Sequence, residues 1–437
     1  MALKGHITED EEKEGAILVS VRWGETSMEE AEESLSELES LAETAGAQVT
    51  GSLIQTRSRP DAATLLGKGK LAELAVEIKE KGADLVVFDQ ELSPSQQRNL
   101  ENELNVKVID RTALILDIFA LHAHSKEGKA QVEMAQLRYQ LTRLIGRGAE
   151  LSRLGGGIGT RGPGETKLEV DRRRISTRIK TLDRELNDFS RVRRIKRKRR
   201  EKQAVPTFAL VGYTNAGKSS ILNALTGAAA VVEDQLFSTL DPTTRRVVLP
   251  GNRHAVLTDT VGFISHLPHQ LVEAFKSTLE EVKEADVLLH VVDASSQNIE
   301  GKIEAVEKVL NEIDATEMPT IYVLNKVDLL GEEERAEVPK KMPYGLLASA
   351  WSGEGLESLR EKMYSNLENA GLVTLFIPYE RGDLLSTIYR KGNVMSFHQE
   401  DNGYRIVAAL PPALRHAYRD YRQDENAAQG SGKAGQG

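Results

Sequence analysis

The chain contains no cysteine. Disulfide frameworks, thiolate nucleophiles and Cys-ligated zinc or iron–sulfur centres are therefore excluded, and the composition suits a reducing compartment. Aromatic residues make up only 5%, so the cores are expected to be aliphatic, as in α/β or helical folds. No apolar run approaches the roughly 20 residues of a membrane span. The longest near-apolar stretch, Val287–Val292, contains His290 and reads as a buried strand. Met1–Glu14 is acidic and lacks an apolar h-region, so it does not read as a signal peptide. The nine histidines show no metal-ligand spacing; His122 and His124 read as helix-surface residues.

The 437 residues are 40% hydrophobic and 28% charged, ordinary chemistry for a soluble protein of several domains. The net charge of −9 is unevenly spread. Between Arg138 and Lys202 there are 21 Lys and Arg against 8 Asp and Glu, and eight of the ten residues in Arg191–Arg200 are basic. One basic segment in an acidic chain suggests a polyanion-binding element, although a solvated helix face would have the same composition.

Strands and helices alternate from residue 16 to about 112: strands at 16–22, Val49–Gln55, Asp84–Asp89 and Val106–Asp110, with helices at 27–44, Lys70–Lys81 and after Ser93-Pro94. Two heptad-like stretches follow. Ala130, Met134, Leu137, Leu141 and Leu144 share 4-3-4-3 spacing, as do Ile175, Ile179, Leu182, Leu186 and Phe189. A glycine-rich segment, Gly155–Gly164, separates them, which predicts an antiparallel helical hairpin. The fold class expected is multidomain α/β. A 1–15 acidic tail precedes a 16–125 α/β domain and a 126–203 hairpin. A 204–370 nucleotide-binding domain, a 371–422 α+β domain and a 423–437 disordered tail complete the chain.

The strand 207–211 runs into Gly212-Tyr213-Thr214-Asn215-Ala216-Gly217-Lys218-Ser219, followed by Ser220 and an apolar helix start. This G-x-x-x-x-G-K-S pattern wraps phosphates with backbone N–H groups and a helix N-terminus. Lys218 can reach the β- and γ-phosphates, and Ser219 can ligate Mg²⁺. Asp259-Thr-Val-Gly262 ends a second strand; Asp259 would hold Mg²⁺ and the Gly262 amide would sense the γ-phosphate. Asn325-Lys326-Val-Asp328 ends a third, and the Asp328 carboxylate can accept the N1 and 2-amino hydrogens of guanine, which adenine lacks. Ser349-Ala350 matches a further base-contacting box. Each box alone is weak; their order at strand ends indicates a guanine-nucleotide site.

With these boxes in place the sequence resembles the translation-factor-related GTPases, and within them the HflX family of ribosome-associated GTPases. Phe237-Ser-Thr239-Leu-Asp-Pro-Thr-Thr-Arg245 is similar to that family's switch I, and Asp259–Leu271 to its switch II. Leu154–Glu169 with Asp171-Arg-Arg-Arg174 is the most family-specific stretch, and the resemblance spans about 16–370. It implies Thr239 as a Mg²⁺ ligand beside Ser219 and Asp259, with Thr243 and Thr244 as rivals. The glycine-rich segment itself reads as a loop that contacts RNA, small residues approaching a backbone while basic ones meet phosphates, with a plain flexible linker as the alternative; Arg153, Gly157, Gly159, Arg161 and Lys167 are the candidates, joined by Arg193, Arg194 and Arg197 from the basic run. Phe263 stands where many GTPases place a water-orienting glutamine, so the catalytic group is unassigned and slow intrinsic hydrolysis is expected. Asn215 matches a potassium-coordinating asparagine of some related GTPases. Trp351 follows the Ser349-Ala350 box where lysine is common; either the base stacks against this aromatic or Trp351 packs elsewhere.

Two other glycine motifs are weaker. Gly157–Gly162 reads G-x-G-x-x-G but follows a helix, so it fails the dinucleotide-binding context. Gly67-Lys-Gly-Lys70 precedes a helix and could hold a second phosphate; a surface turn is the default.

The function implied is a cytoplasmic, monomeric GTPase that uses GTP, GDP and Mg²⁺. It would bind the large ribosomal subunit and its RNA but not DNA, and dissociate stalled or idle ribosomes, with hydrolysis driving its release. Potassium, through Asn215, and peripheral membrane association stay open. Two rivals also stand: a GTP-dependent regulator of a membrane protease or signalling complex, and an ATP-dependent RNA-remodelling enzyme.

Overall fold

A computed structural model describes residues 14–154, 163–202, 205–227, 236–237, 239–265, 276–370, 372–391, 393–410, 414 and 418–422. The 1–13 and 423–437 tails and most of the glycine-rich segment lie outside the described residues. The chain divides into two compact units. The first holds residues up to 190 together with 233–241 and 264–276; the second holds 191–232, 242–263 and everything from 277 onward.

In the first unit the elements run β1 (Gly15–Arg22), α1 (Met28–Thr44), β2 (Gln48–Thr56), α2 (Lys68–Lys81), β3 (Leu85–Phe88), α3 (Pro94–Leu104), β4 (Lys107–Asp110) and α4 (Arg111–His122). The strands are parallel, in the order β2-β1-β3-β4. Their aliphatic runs are buried because helices cover a parallel sheet. Local chemistry sets the helix starts. Ser27 and Ser93 close capping boxes with Glu30 and Gln96, and Pro94 takes the first position of α3. Helix α2 begins two residues earlier than the apolar pattern implies, because Gly67 is its N-cap and gives its N–H to Gln55 Oε1 at 2.9 Å. The Gly67–Lys70 motif is thus a helix entry, and Lys70 pairs with Glu73 at 2.7 Å.

Helices α5 (Lys126–Leu154) and α6 (Pro163–Lys202) follow. Ala130 and Met134 pack against Leu182, with Leu137, Ile179 and Leu186 alongside. The apolar seams of both helices thus meet in one cluster. Arg178 bonds Glu133 across it at 2.6 Å. The hairpin is tied to the sheet: Arg143 of α5 reaches Asp110 at 2.6 Å and Gln97 at 2.9 Å, and Tyr139 donates to Asp110 at 2.8 Å. His124 lies between α4 and α5 rather than on a helix; it is exposed, whereas His122 is half-buried.

The second unit is built on a six-stranded sheet. Its elements are β5 (Thr207–Gly212), α7 (Lys218–Thr226), β6 (Thr243–Leu249), β7 (Arg253–Asp259), α8 (Lys276–Lys283), β8 (Val287–Asp293), α9 (Ile299–Glu312), β9 (Thr320–Asn325), α10 (Glu332–Lys341), β10 (Leu346–Leu347) and α11 (Leu356–Ala370). The order is β10-β9-β8-β5-β7-β6, with only β6 antiparallel. A small antiparallel sheet, β11-β13-β12, follows from β11 (Leu372–Pro378), α12 (Gly382–Lys391), β12 (Asn393–Glu400) and β13 (Gly403–Ala409). Among the described residues no helix is long and apolar enough to cross a membrane.

Candidate nucleotide site

The central strand β5 delivers the phosphate loop at its carboxyl end, where open parallel sheets bind ligands. Glycine is required twice by geometry. At Gly212 a Cβ would stand 2.2 Å from the Val291 carbonyl oxygen. At Gly217, where φ is +86°, it would stand 2.2 Å from Asn325 Nδ2. The loop is then free to turn directly into α7, which presents its N-terminus.

Lys218 is buried, and its Nζ donates to the carbonyls of Gly212 at 3.1 Å and Tyr213 at 2.7 Å. Burial pushes its pKa down to about 8, and the Asp259 carboxylate opposes that shift. Ser219 Oγ donates to Asp259 Oδ2 at 2.6 Å, so the ends of α7 and β7 meet as an oxygen pair. Hard oxygen donors of this kind suit Mg²⁺. The Thr214 hydroxyl is buried with no hydrogen-bond partner among the described residues, a donor that fits a phosphate cradle. Among the described residues no three His, Asp or Glu side chains cluster as a protein-only metal cage, and a Ser, Asp and phosphate set needs none.

The Gly262 backbone lies against the phosphate loop: a Cβ there would meet Thr214 Cγ2 at 2.9 Å and Lys218 Nζ at 3.0 Å. The next residue bridges the loop, with Phe263 N–H on the Gly212 carbonyl at 3.1 Å and the Phe263 carbonyl taking the Thr214 N–H at 2.7 Å. The Phe263 ring is 1% exposed and is a core residue. Asn215 is exposed, with φ +57°.

The Asn325–Asp328 and Ser349–Ala350 boxes are joined to the same loop. Asn325 Nδ2 donates to the Ala216 carbonyl at 2.9 Å, and Asn325 Oδ1 accepts the Ala350 N–H at 3.1 Å. Ser349 Oγ donates to Asp328 Oδ1 at 2.5 Å. Lys326, in a left-handed conformation, pairs with Asp293 at 2.8 Å. Neither the bridging role of Asn325 nor Asp293 was anticipated from sequence. The available signal for Asp293 is an acidic residue ending a buried strand.

The remaining candidates divide. Thr239 is half-buried and belongs to the first unit, while Thr243 opens β6 opposite Asp259 and the Thr244 and Thr258 hydroxyls lie 3.3 Å apart. Arg153 is at the end of α5, Lys167 is near the start of α6, and Arg193, Arg194 and Arg197 are near its end. Gly157, Gly159 and Arg161 lie outside the described residues.

A further polar centre in the first unit was not foreseen. Arg111, 3% exposed, is held by Asp89 and Glu37 at 2.8 Å each and by the Ser34 carbonyl at 2.9 Å. Its Nη1 donates to the Ser265 carbonyl at 3.3 Å, two residues beyond Phe263.

Strand–loop–helix geometry, the Ser219–Asp259 pair and the Asn325-anchored base boxes together define a P-loop GTPase, an enzyme that hydrolyses GTP. The chain matches three family descriptions in succession: "GTP-binding GTPase N-terminal" over residues 32–120, "GTP-binding GTPase Middle Region" over 122–200 and "50S ribosome-binding GTPase" over 207–326. It is 50% identical over 411 residues to GTPase HflX of Caldanaerobacter subterraneus, covering 94% of each chain. It is 44% identical over 404 residues to GTPase HflX of Escherichia coli, covering 91% of this chain and 94% of that one. A GTP-binding protein from Sulfolobus solfataricus, solved in complex with GDP, aligns with TM-score 0.43 at 27% identity, over 81% of this chain and 98% of that one. The chain belongs to the HflX family of GTPases.

Proposed function

We propose that the protein is a cytoplasmic GTPase that binds the large ribosomal subunit and dissociates stalled or idle ribosomes, with hydrolysis driving its release. The observation that carries this reading is the pair of long helices α5 and α6, with the glycine-rich segment between them in sequence and a basic run near the end of α6. At about 1.5 Å per residue the 40-residue α6 is about 60 Å long, a length that suits an extended arm. The family description naming the 50S subunit supports the same partner. The expected division at 126–203 and 204–370 then separates an RNA-reaching arm from a nucleotide switch.

In that switch Lys218 would hold the β- and γ-phosphates, and Asp328 with the Ala350 N–H would read guanine. Ser219, Asp259 and Thr239 would hold Mg²⁺. The ion would supply positive charge to the phosphate oxygens. With the ring of Phe263 in the core, no side chain at that position can orient water. Slow intrinsic turnover and activation by the ribosome follow, and Asn215 is the residue that would admit potassium.

The test is co-sedimentation with large subunits in sucrose gradients, with a non-hydrolysable GTP analogue and with GDP, beside a turnover assay. Binding that favours the analogue, with turnover accelerated by subunits, is expected. Absence of subunit binding in both nucleotide states would overturn the proposal.

A further inference from the structure

Trp351 directly follows Ala350 and is 92% exposed. The turn that presents it is tied down. Gly353 N–H donates to the Ser349 carbonyl at 3.0 Å, Ser349 N–H to the Glu354 carbonyl at 2.9 Å, and Ser352 N–H to Ser349 Oγ at 3.0 Å. Gly355, at φ +71°, lets the chain pass so close to Leu347 that a Cβ would stand 2.0 Å from its carbonyl oxygen. A solvent-exposed indole on a constrained turn keeps a planar aromatic face open to a ligand.

The neighbouring groups identify that occupant. The Ala350 N–H is fixed by Asn325, and Ser349 is bonded to Asp328, so the turn is joined to both elements that read the base. Trp351 is one Cα step, about 3.8 Å, beyond Ala350. Lys326, from the other box, has its ammonium anchored on Asp293 at 2.8 Å. An aromatic residue so placed has the chemistry to cover one face of a planar purine whose edge is held by hydrogen bonds.

We propose that Trp351 is a nucleotide-binding residue whose indole stacks on the guanine base. The proposal rests on the guanine-nucleotide reading of the site. Stacking is tolerant of base identity because every base has a π-face. Trp351 therefore adds affinity, while Asp328 selects guanine.

The chain has only two tryptophans, so the other can be removed and Trp351 used as a reporter. In the full-length Trp23→Phe chain, GDP should change Trp351 emission and saturate at the concentration that calorimetry gives for binding. Trp351→Ala should weaken GDP binding about tenfold, and Trp351→Phe should retain most of the affinity. Because the side chain is in solvent, neither change disturbs packing. Unchanged GDP affinity in Trp351→Ala, with emission indifferent to GDP, overturns the stacking role alone. Equal binding of GDP and ADP by the unaltered chain overturns the guanine reading itself. If Trp351→Ala keeps its GDP affinity but loses large-subunit binding, the indole is a partner contact and the proposal is wrong.

Discussion

Ser125 gives both its backbone N–H, at 2.7 Å, and its hydroxyl to the carboxylate of Asp241, 116 residues later in the chain. The His124 N–H joins them at 3.0 Å, and Ser125 Oγ in turn accepts the Gly128 N–H at 2.8 Å, capping α5. Four residues before Asp241, Phe237 sits at φ +58° with its ring edge-on to Phe119 of α4, centroids 4.7 Å apart. The segment that carries Thr239 is therefore held at both ends by residues flanking the start of the hairpin.

Asp241→Ala should release that hold. Losing a carboxylate that receives backbone N–H groups at a helix start costs roughly 1 kcal/mol. Hydrogen exchange followed by mass spectrometry should show faster exchange around residues 123–128 and 239–241. Unchanged protection in both peptides would mean that the contact does not hold the segment.

Asp328→Asn replaces the carboxylate proposed to meet guanine's donors with a group that is partly a donor. A hydrogen bond to a charged group contributes about 1.5–3 kcal/mol, so GTP affinity should fall at least tenfold while xanthine nucleotide binding rises. A nucleotide titration checks both directions, and unchanged GTP affinity would remove Asp328 from the base site.

The basic run and the glycine-rich segment should do separable work, because one lies near the end of α6 and the other precedes its start in sequence. Neutralising several residues of Arg191–Arg200 should weaken large-subunit binding and flatten its salt dependence, since each phosphate contact releases counterions. Shortening Gly155–Gly164 removes little charge; it should spare most binding and abolish ribosome splitting. Normal splitting by the shortened chain would reduce the turn to a linker.

His290 sets a pH limit. Burial, followed by the nearby Lys218 charge, pushes its pKa down to about 4, and its Nδ1 has no hydrogen-bond partner among the described residues. The folded state keeps the ring neutral, whereas the unfolded chain binds a proton near pH 6.5. Stability is therefore fully present above pH 6.5 and falls as the pH drops towards 4, by about 3 kcal/mol at most for this group. Urea unfolding at pH 7 and pH 5 should show the loss, and His290→Phe should reduce it. Equal slopes in both chains would clear His290 of the effect.

The sequence by itself determined the parts that short-range chemistry controls. The phosphate loop is one contiguous strand, turn and helix, so Gly212–Ser220 carries its own geometry. Ser27, Ser93 and Pro94 mark helix starts because a cap involves residues three apart. The 4-3-4-3 spacing marks two helices with apolar seams, because periodicity alone puts Ala130 and Met134 on one face of α5 and Ile179 and Leu182 on one face of α6. Tertiary structure decided which distant groups come within about 3 Å. Asn325 reaches Ala216 only because β9, β8 and β5 are successive neighbours in the sheet. Arg111 gathers Glu37, Asp89 and Ser265 from three separate stretches, and Asp241 finds Ser125 across 116 residues. Periodicity specifies which face a residue occupies. A hydrogen bond also needs strand order and loop path, which are fixed only when the cores pack.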